Sequence, residues 1–240
     1  DNVELVAALD YKEIGNTLSE LPNFPTDYKI PIYTNIITLI EETKPDVLID
    51  LTNPHSVYEH TKIALQYNVR PVVGTTGFTD EQLSELKELS KNSGTGCIIA
   101  PNFAIGAILM MKFAKEAAKY LPDVEIIEMH HDQKLDAPSG TGIKTAQMIA
   151  ETREQKIQGH SQEKETHVGA RGADFEGMRI HSVRLPGLVA HQQVLFGGDG
   201  QLLTIRHDSF SRQSFMGGIA YCVDEVMNLK HLVYGLENLI

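Results

Sequence analysis

Hydrophobic positions along the first hundred residues fall into short, nearly continuous runs separated by segments of helical period. Val3–Leu9, which stops at Asp10, then Pro45–Asp50, Arg70–Gly74 and Gly96–Ala100 have the composition of strands. Their unbroken apolar character suits strands covered on both faces. Between them, His55–Asn68 carries Val57, Ile63 and Ala64 at helical positions. Thr79 opens a second helix to about Lys91, with Gln82 at the spacing of a capping box. A polar, proline-containing stretch runs from Asp10 to Pro31. Strand and helix in alternation predict an α/β domain with a Rossmann-like, doubly wound parallel sheet.

The pattern changes near Phe103. A long helix over about Gly106–Tyr120 precedes the strand Val124–His130, and another helix starts near Thr141. Residues 153–176 are polar and read as a loop. Strands follow at Met178–Arg184, Val189–Phe196 and Gln201–His207, then a last helix over about Arg212–Leu229. Strands clustered in this way predict a second, α+β domain with a mixed or antiparallel sheet.

Composition narrows the class. With 240 residues, 42% of them hydrophobic and 22% charged, the chain can bury one large core or two modest ones. No apolar run approaches the roughly 18–20 residues that span a bilayer, and no basic-then-apolar leader opens the chain. A soluble, cytoplasmic protein with no membrane partner is expected. The formal net charge is −11 and no basic stripe is present, which argues against a nucleic-acid partner. An acidic chain that handles an anion must gather cations and N–H groups locally. The two cysteines, Cys97 and Cys222, form no C-x-x-C pair and read as ordinary core thiols.

Candidate cofactor residues lie at the ends of the first strands. Asp10 stands where a dinucleotide fold places the acid that meets the adenosine ribose, although a strand-terminal Asp is also an ordinary turn residue. The glycine-rich loop expected before it has no room in this sequence, which opens on Asp1 rather than Met. Lys12 is a cation that could hold a 2′-phosphate, or a solvated surface lysine. Gly74-Thr75-Thr76-Gly77 follows a strand at its carboxyl end, where open α/β sheets bind ligands. Its glycines permit close approach and its hydroxyls can hold a carboxamide or ribose; a plain turn is the alternative. Ala100, Pro101, Asn102 and Phe103 end the next strand, and Phe103 could wall a nicotinamide or simply be core.

Glu128 to Gly142 concentrates polar chemistry. Glu128 and His130 share one strand face, whereas His131 points the other way unless the strand ends before it. Lys134 lies in the loop beyond, and Ser139-Gly140-Thr141 opens a helix. A helix start has unpaired N–H groups and partial positive charge, so it receives a carboxylate well. Histidine and lysine beside it can supply the proton that follows hydride addition to a C=N or C=C bond. Histidines on a solvated strand end with Ser139 as an N-cap are the structural alternative. His130 and His131 diverge and have no third ligand at spacing, so no metal is expected.

The segment His130 to Thr141, H-H-x-x-K-x-D-A-P-S-G-T, resembles the signature of the 4-hydroxy-tetrahydrodipicolinate reductase family. Gly74–Phe78, Ala100–Gly106, Val183-Arg184 and Phe210–Phe215 resemble the same family in the same order, over essentially the whole chain. The resemblance implies NAD(P)H-dependent reduction of a cyclic dicarboxylate on the route to diaminopimelate and lysine. It makes His130 the proton donor or acceptor and Lys134 the assisting proton donor. His131, Gly140 and Thr141 would hold the substrate carboxylates, with Ser139 and Lys134 close by. Gly74, Thr75, Thr76 and Ala100 to Phe103 would line the nicotinamide side, and Asp10 would meet the ribose. Asp10 favours NADH and Lys12 favours NADPH, so either is expected to serve. The implied fold is a dinucleotide-binding domain of residues 1–103 and 212–240, with a substrate domain of 104–211 whose sheet packs into a homotetramer. Two other functions compete: another two-domain Rossmann oxidoreductase acting on a small carboxylate, and a nucleotide-sensing homologue without catalysis. His130 and Lys134 together beside one helix start argue against both.

Overall fold

The structure is a computed structural model and describes residues 3–12, 17–22 and 24–240. Parts of the polar stretch before Pro31, residues 13–16 and 23, lie outside the described residues, as do Asp1 and Asn2. The chain forms two compact units, Asp1–Pro101 with Ile219–Ile240, and Asn102–Gly218.

In the first unit, β1 (Ala8–Leu9), β2 (Ile32–Tyr33), α1 (Ile36–Thr43), β3 (Val47–Asp50), α2 (Val57–Gln66), β4 (Arg70–Val73), α3 (Asp80–Ser93) and β5 (Cys97–Ile99) follow in order. A final strand, β11 (Leu232–Tyr234), joins the same sheet. β11, β5, β4 and β3 lie side by side and all parallel, the arrangement expected from the alternating pattern. The capping box forms as read: Thr79 accepts from Gln82 N, and the Gln82 side chain accepts from Thr79 N. Val57, Leu65, Val73, Leu86, Cys97 and Ile99 pack as the core between helices and sheet.

The expected strand Val3–Leu9 is shorter than its apolar run. Only Ala8–Leu9 pairs, with β2 in a separate two-stranded parallel sheet, and Val3 and Leu5 are exposed. Helix α1 escapes the hydrophobic pattern because it is two turns long. Its buried residues are Ile36, Leu39 and Ile40, and Asn35 caps it by accepting from the N–H groups of Ile37 and Thr38.

The second unit contains α4 (Ile105–Ala117), β6 (Asp123–His130), α5 (Gly140–Ala150), β7 (Ala173–Phe175), β8 (Met178–Arg184), β9 (Ala190–Gly198) and β10 (Gln201–Ser209). A 3-10 turn at Arg212–Phe215 leads into α6 (Met216–Val226). The strands run in the order β10-β9-β6-β8-β7, with β6 and β8 parallel and the rest antiparallel. Period-two alternation decides the faces. Val124, Ile126, Met178, Ile180, Val194 and Phe196 point into a core shared with Ala114, Ala146 and Ile149 of α4 and α5. The strand β7 lies inside the expected loop 153–176. It forms a hairpin with β8 through Glu176 and Gly177, both at positive φ. Buried Arg153 ties the rest of that loop down, donating to the carbonyls of Pro122, Glu176 and Lys156. Among the described residues, no helix is long and apolar enough to cross a membrane.

Candidate active site

Strand period places Glu128 and His130 on the inner face at the end of β6, and there they meet. Glu128 has no solvent exposure. Its Oε2 lies 2.6 Å from His130 Nδ1 and accepts from Arg184 Nη1 at 2.9 Å. Its Oε1 accepts from Arg184 Nη2 at 2.8 Å and from the Ser139 backbone N–H at 3.1 Å. Burial alone would raise the Glu128 carboxyl, but the hydrogen bonds of His130, Arg184 and Ser182 overcome it and bring it down to about 2. An ionised carboxylate only accepts, so His130 carries its Nδ1 hydrogen toward Glu128. Among the described residues, His130 Nε2 has no hydrogen-bond partner, and the side chain keeps 15% exposure.

Helix α5 starts as the sequence suggests. Ser139 is its N-cap, and its Oγ accepts from Gly142 N at 3.1 Å. The N–H groups of Gly140 and Thr141 have no acceptor among the described residues. A Cβ added to Gly140 would meet nothing within 4 Å. Two unspent donors therefore border open space at the positive end of a helix dipole, which is the chemistry of a carboxylate site. The Thr141 hydroxyl accepts from Asn102 Nδ2 at 3.3 Å and so keeps its own hydrogen to donate.

Lys134 belongs to the loop between β6 and α5, half-buried. Its Nζ pairs with Asp136 Oδ1 at 2.6 Å, which holds the Asp136 carboxyl below the ordinary value. His131 is exposed, and its side chain makes no hydrogen bond among the described residues. The structure thus brings His130, Ser139 and the Lys134 loop onto one buried carboxylate, with Asn102 against Thr141, and leaves His131 at the rim.

Two participants carry no role in the sequence reading, although Arg184 stands within one of its family motifs. Arg184 is 56 positions from Glu128, and only the parallel register of β6 and β8, with His130 opposite Arg184, brings it there. Gln192 is buried beneath α5 and donates to Thr145 Oγ1 at 2.7 Å, while its Oε1 has no partner among the described residues. The pairing of β6 with β9 sets Gln192 opposite Glu128. No local sequence signal announces either contact.

The residues picked for a nucleotide lie elsewhere in the chain. Asp10 and Lys12 follow β1 and are exposed, with Lys12 N donating to Asp10 Oδ1 at 2.7 Å. Gly74, Thr75 and Thr76 leave the carboxyl end of β4, where Gly74 N donates to Asp50 O at 2.9 Å. The Thr75 and Thr76 hydroxyls make no hydrogen bond among the described residues. Ala100 and Phe103 are buried, Pro101 is exposed, and Asn102 is half-buried. Beside them sits a network absent from the sequence expectations. His60 Nδ1 donates to buried Asp50 at 2.8 Å, and its Nε2 lies 2.9 Å from the Tyr11 hydroxyl. Thr52 donates to the same carboxylate through N and Oγ1 at 2.9 and 2.6 Å. Burial works to raise Asp50, yet these bonds from His60 and Thr52 leave it lowered.

Comparison with known proteins converges on one family. Residues 1–103 match the family model described as dihydrodipicolinate reductase, N-terminus, and residues 106–240 the model for its C-terminus. A 4-hydroxy-tetrahydrodipicolinate reductase of Lysinibacillus sphaericus (strain C3-41) is 74% identical over 240 residues, covering 100% of this chain and 91% of that protein. The protein of the same name from Oceanobacillus iheyensis is 66% identical, again over 100% of this chain and 91% of its own length. Among solved structures, a dipicolinate-bound dihydrodipicolinate reductase from Paenisporosarcina sp. TG-14 superposes with a TM-score of 0.91 at 65% identity, covering 100% of this chain and 91% of that one. An amine dehydrogenase from Mycobacterium smegmatis, at 11% identity and a TM-score of 0.62, covering 95% of this chain and 87% of its own, shares the fold alone.

Proposed function

The chain belongs to the dihydrodipicolinate reductase family, and we propose that it reduces 4-hydroxy-tetrahydrodipicolinate at the polar cluster around Glu128. It is an oxidoreductase of diaminopimelate and lysine biosynthesis that depends on a nicotinamide cofactor. One feature carries the placement of the site: two unspent N–H donors open α5 beside a Gly140 with nothing in front of it.

In this assignment the Gly140 and Thr141 N–H groups and the Thr141 hydroxyl receive one substrate carboxylate. Ser139 shapes that helix start from its cap position, and His131 reaches the dicarboxylate from the rim. When bound, the reduced nicotinamide supplies the hydride. His130, held with Nδ1 toward Glu128, presents Nε2 as the proton-handling atom, and Lys134 supplies the one proton that balances the hydride as the 4-hydroxyl leaves as water and tetrahydrodipicolinate forms. Asp136 holds the Lys134 ammonium in place, 2.6 Å from its Oδ1, until substrate arrives.

The first unit suits the cofactor. Unpartnered hydroxyls on Thr75 and Thr76 at the carboxyl edge of a parallel sheet match a carboxamide or ribose, Ala100 and Pro101 continue that edge, and Asn102 and Phe103 follow them in the chain toward the nicotinamide. Asp10 serves the adenosine ribose. With Asp10 and Lys12 both exposed and only two positions apart, either NADH or NADPH is accepted. The outer face of the second unit's sheet leaves Ile127 and Leu195 half-exposed and Leu202 exposed, a surface for assembly into a homotetramer. The enzyme acts in the cytoplasm.

The test is Gly140→Val in full-length protein. A Cβ added there meets no neighbour within 4 Å, so the new side chain projects into the carboxylate space. The KM for the cyclic dicarboxylate should rise about tenfold or more, the loss of roughly 1.4 kcal/mol of binding, with cofactor KM and Tm unchanged. An unchanged substrate KM contradicts the placement.

A further inference from the structure

We infer that the buried Glu128–Arg184 ion pair is a positioning frame that sets both proton-transfer groups at once, His130 through its ring and Lys134 through its loop. The inference rests on the site assignment above and adds two residues to it. Neither member needs to touch substrate. Glu128 is wholly buried, and the Arg184 side chain is 18% exposed.

The hydrogen-bond count shows the reach of the pair. A carboxylate offers about four acceptor positions. Glu128 spends them mainly on the His130 ring, the Ser139 N–H and two guanidinium nitrogens, with Ser182 contributing beside them. Arg184 then extends outward, with Nη2 donating to the Asp136 carbonyl at 2.7 Å and Nη1 to the Val183 carbonyl at 2.8 Å. The loop between β6 and α5 is therefore pinned at Asp136 by the arginine and at Ser139 by the glutamate. Lys134, whose ammonium is 2.6 Å from Asp136 Oδ1, rides on that pinned loop.

Stability gives a weak account of such a pair. Burying two charges costs several kcal/mol per ion, and well-packed apolar residues often do as well or better. Geometry gives a stronger one. The carboxylate fixes the His130 hydrogen on Nδ1, so Nε2 is the atom left for chemistry, and a neutral amide would not impose that choice. The guanidinium fork matches a carboxylate bidentately and leaves directions for carbonyls, which an ammonium cannot reproduce.

The experiment uses full-length Glu128→Gln and Arg184→Lys, with His130→Gln and Lys134→Met as references. Phe196→Leu, in the core of the same sheet, controls for stability. Steady-state kinetics and the 15N tautomer signature of His130 are measured together. Glu128→Gln should lower kcat about 100-fold and convert His130 to a mixture of tautomers, as expected for losing an orienting partner. Arg184→Lys should lower kcat about tenfold. In both, cofactor KM should stay within about twofold. Phe196→Leu should lower Tm and leave kcat and the tautomer alone. If Glu128→Gln does not fold, Arg184→Lys carries the test by its kcat and cofactor KM. Wild-type kcat in the folded variants, or a lost kcat in Glu128→Gln with an unchanged His130 ring, overturns the frame. If the frame fails while His130→Gln and Lys134→Met abolish turnover, the site assignment stands. If those two references also turn over normally, the assignment falls and the frame with it.

Discussion

Among the described residues two histidines lean on buried carboxylates, and they differ in what the second ring nitrogen meets. His60 and Asp50, in the first unit, have side chains 4% and 2% exposed, and His60 Nε2 is occupied by the Tyr11 hydroxyl. Every polar atom of that ring is used. His130 and Glu128, in the second unit, share the same Nδ1-to-carboxylate bond, but Nε2 faces no partner among the described residues and the ring keeps a path to solvent. A buried carboxylate orients both rings. Only the ring with an open nitrogen can exchange a proton with a ligand. In the proposed assignment the His130–Glu128 pair is left open for chemistry, whereas the His60–Asp50 pair is closed.

Substituting each histidine breaks the comparison most directly. His130→Gln should lower kcat by about 10²–10⁴-fold, the range for removal of a general acid or base. His60→Gln should leave kcat of the folded enzyme within about twofold and instead cost about 1–3 kcal/mol of stability, because buried Asp50 loses a partner. Equal kinetic losses in the two variants would erase the distinction.

Acid sharpens it next. Glu128 sits at about 2 in the fold against an ordinary 4.5. A carboxyl lowered by folding adds stability above its unfolded value, and that stability is lost as pH falls through the folded one. Urea midpoints of the wild type should therefore decline between about pH 4.5 and 2, with on the order of 3 kcal/mol traceable to Glu128. Asp50 is also lowered and acts with the same sign. Glu128→Gln should flatten the decline while retaining the Asp50 part; an unchanged slope would show that Glu128 is not held ionised. The smallest effect is expected from Tyr11→Phe. It removes the hydroxyl that closes His60, for about 1 kcal/mol in urea titration. Because Tyr11 follows Asp10, cofactor Kd should rise a few-fold with kcat intact.

Much of this was legible in residue order, and the remainder has physical reasons. Period-two alternation on β6 places Glu128 and His130 on one face, and Ser139 announces the start of α5. The strand–helix alternation from Pro45 to Ala100 gives the parallel sheet. Strand β11 is invisible because three residues become a strand only by pairing with β5. For α1 the signal exists in Asn35 and the spacing of Ile36, Leu39 and Ile40, but two turns make a weak period. The β7–β8 hairpin is encoded in Glu176-Gly177, and the polarity of the surrounding loop masks it. The contacts of Arg184, a residue noted only as part of a family motif, and of Gln192 are the deepest omission. Both residues reach Glu128 and α5 through strand register, which no short window of sequence contains.

A crystal structure of the full-length protein with pyridine-2,6-dicarboxylate would address the central claim most directly. One carboxylate should lie about 2.7–3.2 Å from the Gly140 and Thr141 N–H groups, with His130 Nε2 and Lys134 turned toward the ring. A dicarboxylate bound away from the start of α5, with those donors still unpaired, would contradict it.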